Sequence, residues 1–141
     1  GHLIARKKGD KIFPLVSEYR VLMKVRCETN RNREYLLTQE LNGPLTGVKS
    51  GEIFPEKAFV YIAGINKDEG QETGEIMLKW ESPVMPNDSE TIYMSGKSEN
   101  DYLGNTINVW YWVSAEQDDK VEITQRADTY KSTLTITMVE L

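Results

Sequence analysis

The chain has 141 residues, of which 39% are hydrophobic and 28% are charged, and its formal net charge is −5. A chain of this size and composition folds as one globular domain with its own core, which excludes a disordered or fibrous protein. Its single cysteine, Cys27, excludes an intrachain disulfide. No apolar run approaches the roughly 20 residues that span a bilayer, and the start does not resemble a signal peptide. We therefore expect a soluble protein, secreted or released without a signal peptide.

Charge is divided unevenly along the chain. Residues 1–33 carry nine Lys and Arg against three Asp and Glu, whereas residues 34–141 carry eight against nineteen. An acidic body argues against nucleic acid as a partner, because phosphate binding needs a basic face. The basic first third has two interpretations: it contacts an anionic surface, or its charges are solvated on a tail and an edge strand.

The start of the chain is distinct from the rest. Gly9 and Pro14 argue against a helix over Leu3–Ser17. We expect residues 1–18 to form an N-terminal extension, disordered in part, and residues 19–141 to form the folded domain.

Strand patterns begin directly after this extension. Tyr19–Cys27 alternates apolar and polar residues as a strand with one wet face does, and Ala58–Ala63 is apolar on both faces, as in a covered central strand. The polar stretch Asn66–Thr73 predicts a hairpin loop before an alternating strand over Glu75–Trp80. Two prolines exclude a central strand over Ser82–Ser89.

The second half of the chain continues this pattern of short strands separated by turns. Its predicted strands are Thr91–Met94, Ile107–Val113, Val121–Thr124 and a closing strand within Ser132–Leu141. Short strands at such spacing, without a long helical pattern, are typical of a sandwich or a barrel. We predict an all-β fold, a single-domain antiparallel β-sandwich with little helix.

The residue types in this chain give little support to a catalytic function. The only histidine, His2, lies at the extreme end, so a histidine-based triad or zinc site lacks its key group. Cys27 falls on the apolar side of its strand, which predicts a buried, unreactive thiol. Acidic loops around residues 68–75 and 118–119 leave open an acid–base pair, although acidic hairpin tips are usually only solvated. We predict a protein that is not an enzyme, with no catalytic residue, cofactor or metal site.

The tryptophan-rich segment Ile107–Val113 is the most informative aromatic group. Tyr111 shares one face with three β-branched residues, whereas Trp110 and Trp112 share the other face with Asn108. Two interpretations remain open. Either the tryptophans face outward and serve an interface, where their amphipathic rings are favoured, or both faces are covered and the tryptophans belong to the core.

The order of features resembles a known family. The stretch from Gly51 to Pro83 reads GEIFPEKAFVYIAGINKDEGQETGEIMLKWESP, and the end of the chain reads STLTITMVEL. Both resemble aegerolysins, small acidic β-sandwich proteins of fungi and bacteria that are related in fold to the actinoporin-like sandwiches. The matching elements are Pro55-Glu56-Lys57, Ala63-Gly64, Asp68-Glu69-Gly70, Thr73-Gly74 and the Trp80 that precedes Pro83. The turn at Leu41-Asn42-Gly43 departs from the family because it lacks the tryptophan that fungal members use in lipid contact.

This resemblance implies a membrane-docking protein that recognises the headgroup of a sphingolipid or a phospholipid. It implies that Glu69 contacts a cationic headgroup of the choline or phosphoethanolamine type, and that the chain is the docking component of a toxin with a perforin-like pore-forming partner. Peripheral membrane association follows from this. The expected aromatic interfacial rim consists of Trp80, Tyr93, Trp110 and Trp112.

Two other functions compete with lipid binding. A protein-interaction or structural sandwich, such as a viral or phage component or an adhesion module, would bury the aromatic residues in a protein contact. A carbohydrate-binding module would use outward-facing tryptophans to stack on sugars.

Overall fold

The computed structural model describes residues 1–9, 11–29, 33–96 and 104–141. These residues form twelve strands and, at Glu56–Ala58, a 3-10 turn. The strands are β1 (Leu3–Lys8), β2 (Lys11–Ser17), β3 (Val21–Cys27), β4 (Tyr35–Leu41), β5 (Thr46–Gly47), β6 (Phe59–Ile65), β7 (Glu75–Ile76), β8 (Ser82–Pro83), β9 (Ser89–Met94), β10 (Asn105–Val113), β11 (Tyr130–Lys131) and β12 (Leu134–Glu140).

Eight of these strands form two four-stranded sheets. Sheet I has the order β3-β10-β6-β8 and sheet II the order β12-β4-β9-β7. Each pair of neighbours is antiparallel. The predicted all-β, sandwich-like fold is therefore confirmed, and β10 is a central strand of sheet I.

The alternation of β10 places one set of its side chains between the sheets. Ile107 and Val109 are fully buried and Tyr111 is nearly so. The Tyr111 hydroxyl donates a hydrogen bond of 2.6 Å to Gln39 Oε1 on β4. On β6, Val60 and Tyr61 are both fully buried although they face opposite sides, as expected for a strand that is apolar on both faces.

Polar contacts in the core align the two sheets. The Tyr111–Gln39 bond joins β10 to β4, and a weaker contact of 3.4 Å from the Tyr61 hydroxyl to Glu90 Oε2 joins β6 to β9. Burial raises the pKa of Glu90 above its usual range. This alignment puts β3 opposite β12 at one lateral edge of the sandwich and β8 opposite β7 at the other.

The strand predicted over Glu75–Trp80 is wrong for most of its length. Only Glu75–Ile76 pairs, with β9 of sheet II, whereas Ser82–Pro83 pairs with β6 of sheet I. The chain therefore crosses from one sheet to the other between these short strands. Residues in a crossover lie beside neither sheet, so an alternating pattern there does not produce a strand.

The N-terminal extension forms an antiparallel hairpin of β1 and β2. The hairpin is joined to one end of the sandwich because Leu15 N–H donates to the Val121 carbonyl at 2.7 Å, and Val113 N–H donates to Ser17 Oγ at 2.7 Å. Leu15 packs against a small second core that contains Val121. The strand predicted over Val121–Thr124 is wrong, because Val121 makes only this isolated bridge.

The buried Tyr111–Gln39 bond yields a stability prediction. We expect Tyr111→Phe to lower the free energy of unfolding by about 1–2 kcal/mol, because it leaves the buried Gln39 amide without its hydrogen-bond donor. Urea denaturation measures the change. Tyr19→Phe is the matched control because Tyr19 is 78% exposed. Equal losses in the two variants would show that the buried bond does not stabilise the fold.

Candidate functional site

The outer face of sheet I carries a row of apolar side chains on three neighbouring strands. Trp110 of β10 lies between Leu22 of β3 and Ile62 of β6 in the register of the sheet. Trp112 lies on the same face, two residues further along β10. We call Leu22, Ile62, Trp110 and Trp112 the aromatic stripe.

Both tryptophans of the stripe point away from the interior of the sandwich and are partly buried by neighbours on their own face. The Trp110 ring covers Gly64, since a Cβ at that glycine would lie 3.7 Å from the ring. The Arg20 guanidinium lies 3.8 Å from the centroid of the Trp112 ring, a cation–π contact. Both tryptophans therefore lie outside the core between the sheets, partly covered by their neighbours, and their use as an interface stays a prediction.

The predicted headgroup residue, Glu69, lies beyond the polar end of this stripe. Its carboxylate accepts a 2.7 Å ion pair from Lys24 Nζ, and both side chains are about half exposed. Its backbone carbonyl accepts hydrogen bonds from Arg26 Nη1 at 2.9 Å and from Thr106 Oγ1 at 2.5 Å. The backbone of Glu69 is therefore fixed on sheet I, while its carboxylate is held only by the half-exposed ion pair. Lys24 is two residues from Leu22, so the ion pair adjoins the stripe.

Two residues of the predicted aromatic rim are not part of this surface. Tyr93 is fully buried, packs beside Tyr35 and donates its hydroxyl to the Thr73 carbonyl at 2.6 Å. Its placement in an exposed rim is therefore wrong, because its position on β9 turns the ring into the core. Trp80 is 82% exposed, but it lies on the crossover at the β7–β8 edge, two strands away from β10.

A groove at one end of the sandwich is the concave feature that the sequence did not reveal. Its volume is about 550 Å³. We call it the end groove; its walls include Tyr19, Val21, Phe59, Tyr111, Trp112 and Tyr130. These residues come from distant parts of the chain, so periodicity along one segment does not bring them together. The available signal was Tyr19-Arg20-Val21, where an aromatic residue precedes β3 and an apolar residue begins it.

Aromatic pairs give the groove a firm lining. Phe59 and Tyr111 are stacked with centroids 5.8 Å apart, and Phe54 meets Tyr130 edge to face at 5.1 Å. Trp112 contributes to both the groove and the aromatic stripe. The two features therefore form one continuous surface around a corner of the molecule, which we call the docking corner.

Asp128 supplies a fixed negative charge at the groove. Its carboxylate accepts hydrogen bonds from Ser50 N at 2.8 Å, Ser50 Oγ at 2.7 Å and Thr129 N at 2.7 Å. These donors, those of Ser50 above all, lower the pKa of Asp128 to about 2. The carboxylate thus ties the loop before Phe54 to the segment that carries Tyr130.

The residue chemistry of the described part of the chain offers little to catalysis. Cys27 is buried as predicted, and burial raises the pKa of its thiol to about 11, so it is a poor nucleophile. Among the described residues, no cluster of three His, Cys, Asp or Glu side chains is arranged to hold a metal ion. In the same part of the chain, no helix has the length and apolarity needed to cross a membrane.

Comparisons with known proteins leave the chain without an assigned family. No protein-family model, no curated protein and no solved structure matches it. The resemblance to aegerolysins therefore stays a prediction from the sequence.

The hydrogen bonds at Asp128 predict an acid-dependent loss of stability. Because its folded pKa is depressed from 3.8 to about 2, its contribution is present above pH 3.8 and is lost as the pH falls toward about 2. We expect Asp128→Asn to flatten this part of the curve of Tm against pH. Asp118→Asn is the control, because the Asp118 carboxylate is 90% exposed. Parallel curves for wild type and Asp128→Asn would contradict the assignment.

Proposed function

We propose that this protein is a non-enzymatic lipid-binding module that docks on a membrane surface through the docking corner. The observation that carries this proposal is the position of Trp112, which joins the outward-facing aromatic stripe to the apolar end groove. A surface of this shape offers interfacial rings to the headgroup layer and a cavity to an apolar part of the lipid.

Exposed apolar residues around this corner support the proposal. Tyr19 is 78% exposed, Val21 is 60% exposed and Leu22 is 44% exposed. A four-residue segment that leaves three such side chains in water is unusual unless the side chains serve an interface. Tryptophan and tyrosine favour the headgroup region of a bilayer, because one end of each ring system is apolar and the other forms hydrogen bonds.

Positive charges adjoin the same surface. Arg20 covers Trp112, Lys24 lies beside the stripe, and the first 33 residues have six more positive than negative charges. Each Lys or Arg near an anionic membrane contributes on the order of 1 kcal/mol. The remaining chain is acidic, so an anionic membrane favours an orientation with the basic N-terminal segment toward the lipid.

The size and lining of the end groove also suit a lipid. Its volume of about 550 Å³ falls within the range of roughly 300–1,000 Å³ that small-molecule sites occupy. The stacked Phe59–Tyr111 pair and Val21 present apolar surface along it. We infer that an acyl chain or another apolar portion of a lipid enters here.

The ion pair at Glu69 suggests how a zwitterionic headgroup is recognised. A choline or ethanolamine phosphate carries one positive and one negative group. The ammonium replaces Lys24 at the Glu69 carboxylate, and the released Lys24 ammonium turns to the phosphate. Charge is conserved in this exchange, so neither side chain is left unpaired. Recruitment of a perforin-like partner, and hence a toxin role, stays a prediction from the family resemblance.

Protein contact is a second candidate function, favoured by a different surface. Met77, Leu78 and Trp80 are exposed on the crossover at the opposite edge, outside the docking corner. A membrane bound at the corner leaves this patch in water. A protein partner would explain its exposure.

The first test of lipid binding uses tryptophan variants. We expect Trp112→Ala to weaken co-sedimentation with phosphatidylcholine vesicles by about tenfold, since burial of a large aromatic side chain contributes roughly 1.5–3 kcal/mol. Trp80→Ala is the matched control and should bind as wild type does. Near-UV circular dichroism checks that both variants remain folded. Equal loss of binding in both variants, or no wild-type binding to phosphatidylcholine, sphingomyelin or phosphatidylglycerol vesicles, would refute the proposal.

The second test examines the headgroup exchange at Glu69. We expect Glu69→Gln to bind phosphatidylcholine vesicles several-fold more weakly, because the ammonium loses its carboxylate. Binding to phosphatidylglycerol vesicles should be kept or increased, since Lys24 becomes free for the anionic headgroup. The fold should be affected by no more than about 1 kcal/mol, because the ion pair is half exposed. Glu28→Gln, which breaks the exposed pair with Arg26, is the control. Equal effects on both vesicle types would argue against a contact with the ammonium.

A further inference from the structure

The edge strand β12 has an unusually regular and open side. All seven of its residues pair with β4, and the register runs without a bulge from Leu134↔Leu41 to Glu140↔Tyr35. On its other side, no strand of the described chain pairs with it. Met138 and Val139 are 38% and 40% exposed.

The hydrogen bonds at the two ends of β12 show which of its backbone groups are free. Asn42 N–H donates to the Thr133 carbonyl at 2.8 Å, and Leu141 N–H donates to the Glu34 carbonyl at 2.9 Å. In an antiparallel pair, hydrogen-bonded positions recur at every second residue. Odd-numbered residues of β12 therefore bond to β4, whereas the even-numbered residues direct their N–H and C=O groups away from the sheet. These outward-directed residues are Leu134, Ile136, Met138 and Glu140.

Charged side chains protect the other long edge but not this one. Edge strand β3, on the same side of the sandwich, carries Lys24 and Arg26 on its outer face, and both are engaged with the loop around Glu69. Such charges discourage another strand from pairing. The sequence of β12, LTITMVE, has Glu140 as its only charge and contains no proline.

We propose that β12 pairs with β12 of a second copy of this chain, so that the two sheets II form one continuous eight-stranded sheet. The strands run antiparallel about a two-fold axis at Thr137, which lies opposite its own copy. In this register, Leu134 lies opposite Glu140 and Ile136 opposite Met138. Each of these pairs exchanges two backbone hydrogen bonds. The two-fold axis relates every pair to a second identical pair, so both copies use the same surface and the assembly ends at the dimer.

The side chains of β12 match their own copy in this register. On the outer face of sheet II, threonine meets threonine at the axis, and Thr135 meets Val139. Threonine pairs across strands are favourable. On the inner face, Ile136 meets Met138, which adds apolar contact at the open edge of the core. No two like charges oppose each other, which is the condition for a strand to accept a copy of itself.

Sedimentation velocity without vesicles tests this dimer separately from lipid binding. We expect the wild-type sedimentation coefficient to rise with concentration from the monomer value to the dimer value. Thr137→Lys places two ammonium groups opposite each other and should weaken the dimer by about tenfold or more. Thr137→Glu should do the same, and an equimolar mixture of the two variants should recover the dimer, because lysine then meets glutamate.

Cross-linking tests the register. Cys27 is buried, so a new cysteine on β12 would be the reactive thiol. We expect Thr137→Cys to form a disulfide-linked dimer on mild oxidation, because the two cysteines lie directly opposite each other. Val139→Cys is the matched control and should remain mostly monomeric, since Val139 lies opposite Thr135. A wild-type monomer at all concentrations, a dimer unaffected by Thr137→Lys, or equal cross-linking of both cysteine variants would overturn the proposal.

Discussion

The two-residue period of β10 decides which of its aromatic rings lie inside the protein. Because Tyr111 must face sheet II to reach Gln39, Trp110 and Trp112 are forced onto the outer face of sheet I. A shift of one residue in register would bury both tryptophans and expose Tyr111. The aromatic stripe is therefore a consequence of the core, and the surface that we propose for lipid binding is as rigid as the central strand that carries it.

The contact between Tyr111 and Gln39 also determines the shape of the end groove. It holds β10 over β4, and the ring of Tyr111 stacks on Phe59 at the floor of the groove. The N-terminal hairpin supplies the opposite wall, because Ser17 binds the backbone of Val113 at the end of β10. A segment that resembles a tail in the sequence thus completes the concave part of the docking corner. Loss of the hairpin would expose the second core around Val121 as well as open the groove.

Strands whose residues alternate between apolar and polar, or are apolar throughout, could be predicted from the sequence. The segments Tyr19–Cys27, Ala58–Ala63 and Ile107–Val113 each contain most of a strand of sheet I, since burial on one or two faces leaves a pattern in neighbouring residues. Glu75–Trp80 has the same pattern but no strand beside most of it. The location of Tyr93 could not be predicted either, because its face depends on a register shift between β4 and β9 near Leu37. The end groove depends on contacts between distant segments, which no local pattern contains.

The distribution of charge on the lateral edge of the sandwich separates two kinds of contact. On sheet I, Lys24 and Arg26 contact the Glu69 loop and place positive charge beside the aromatic stripe. This face therefore suits a polar lipid surface. The same charges discourage pairing with another strand. On sheet II, β12 presents threonine and apolar residues and suits another β-strand. A dimer through β12 would carry two docking corners on one rigid body. Two linked sites bind a surface more tightly than one, because the second contact forms at a high effective concentration. The basic edge of sheet I would then contact the lipid, and the β12 edge of sheet II would double the number of such contacts.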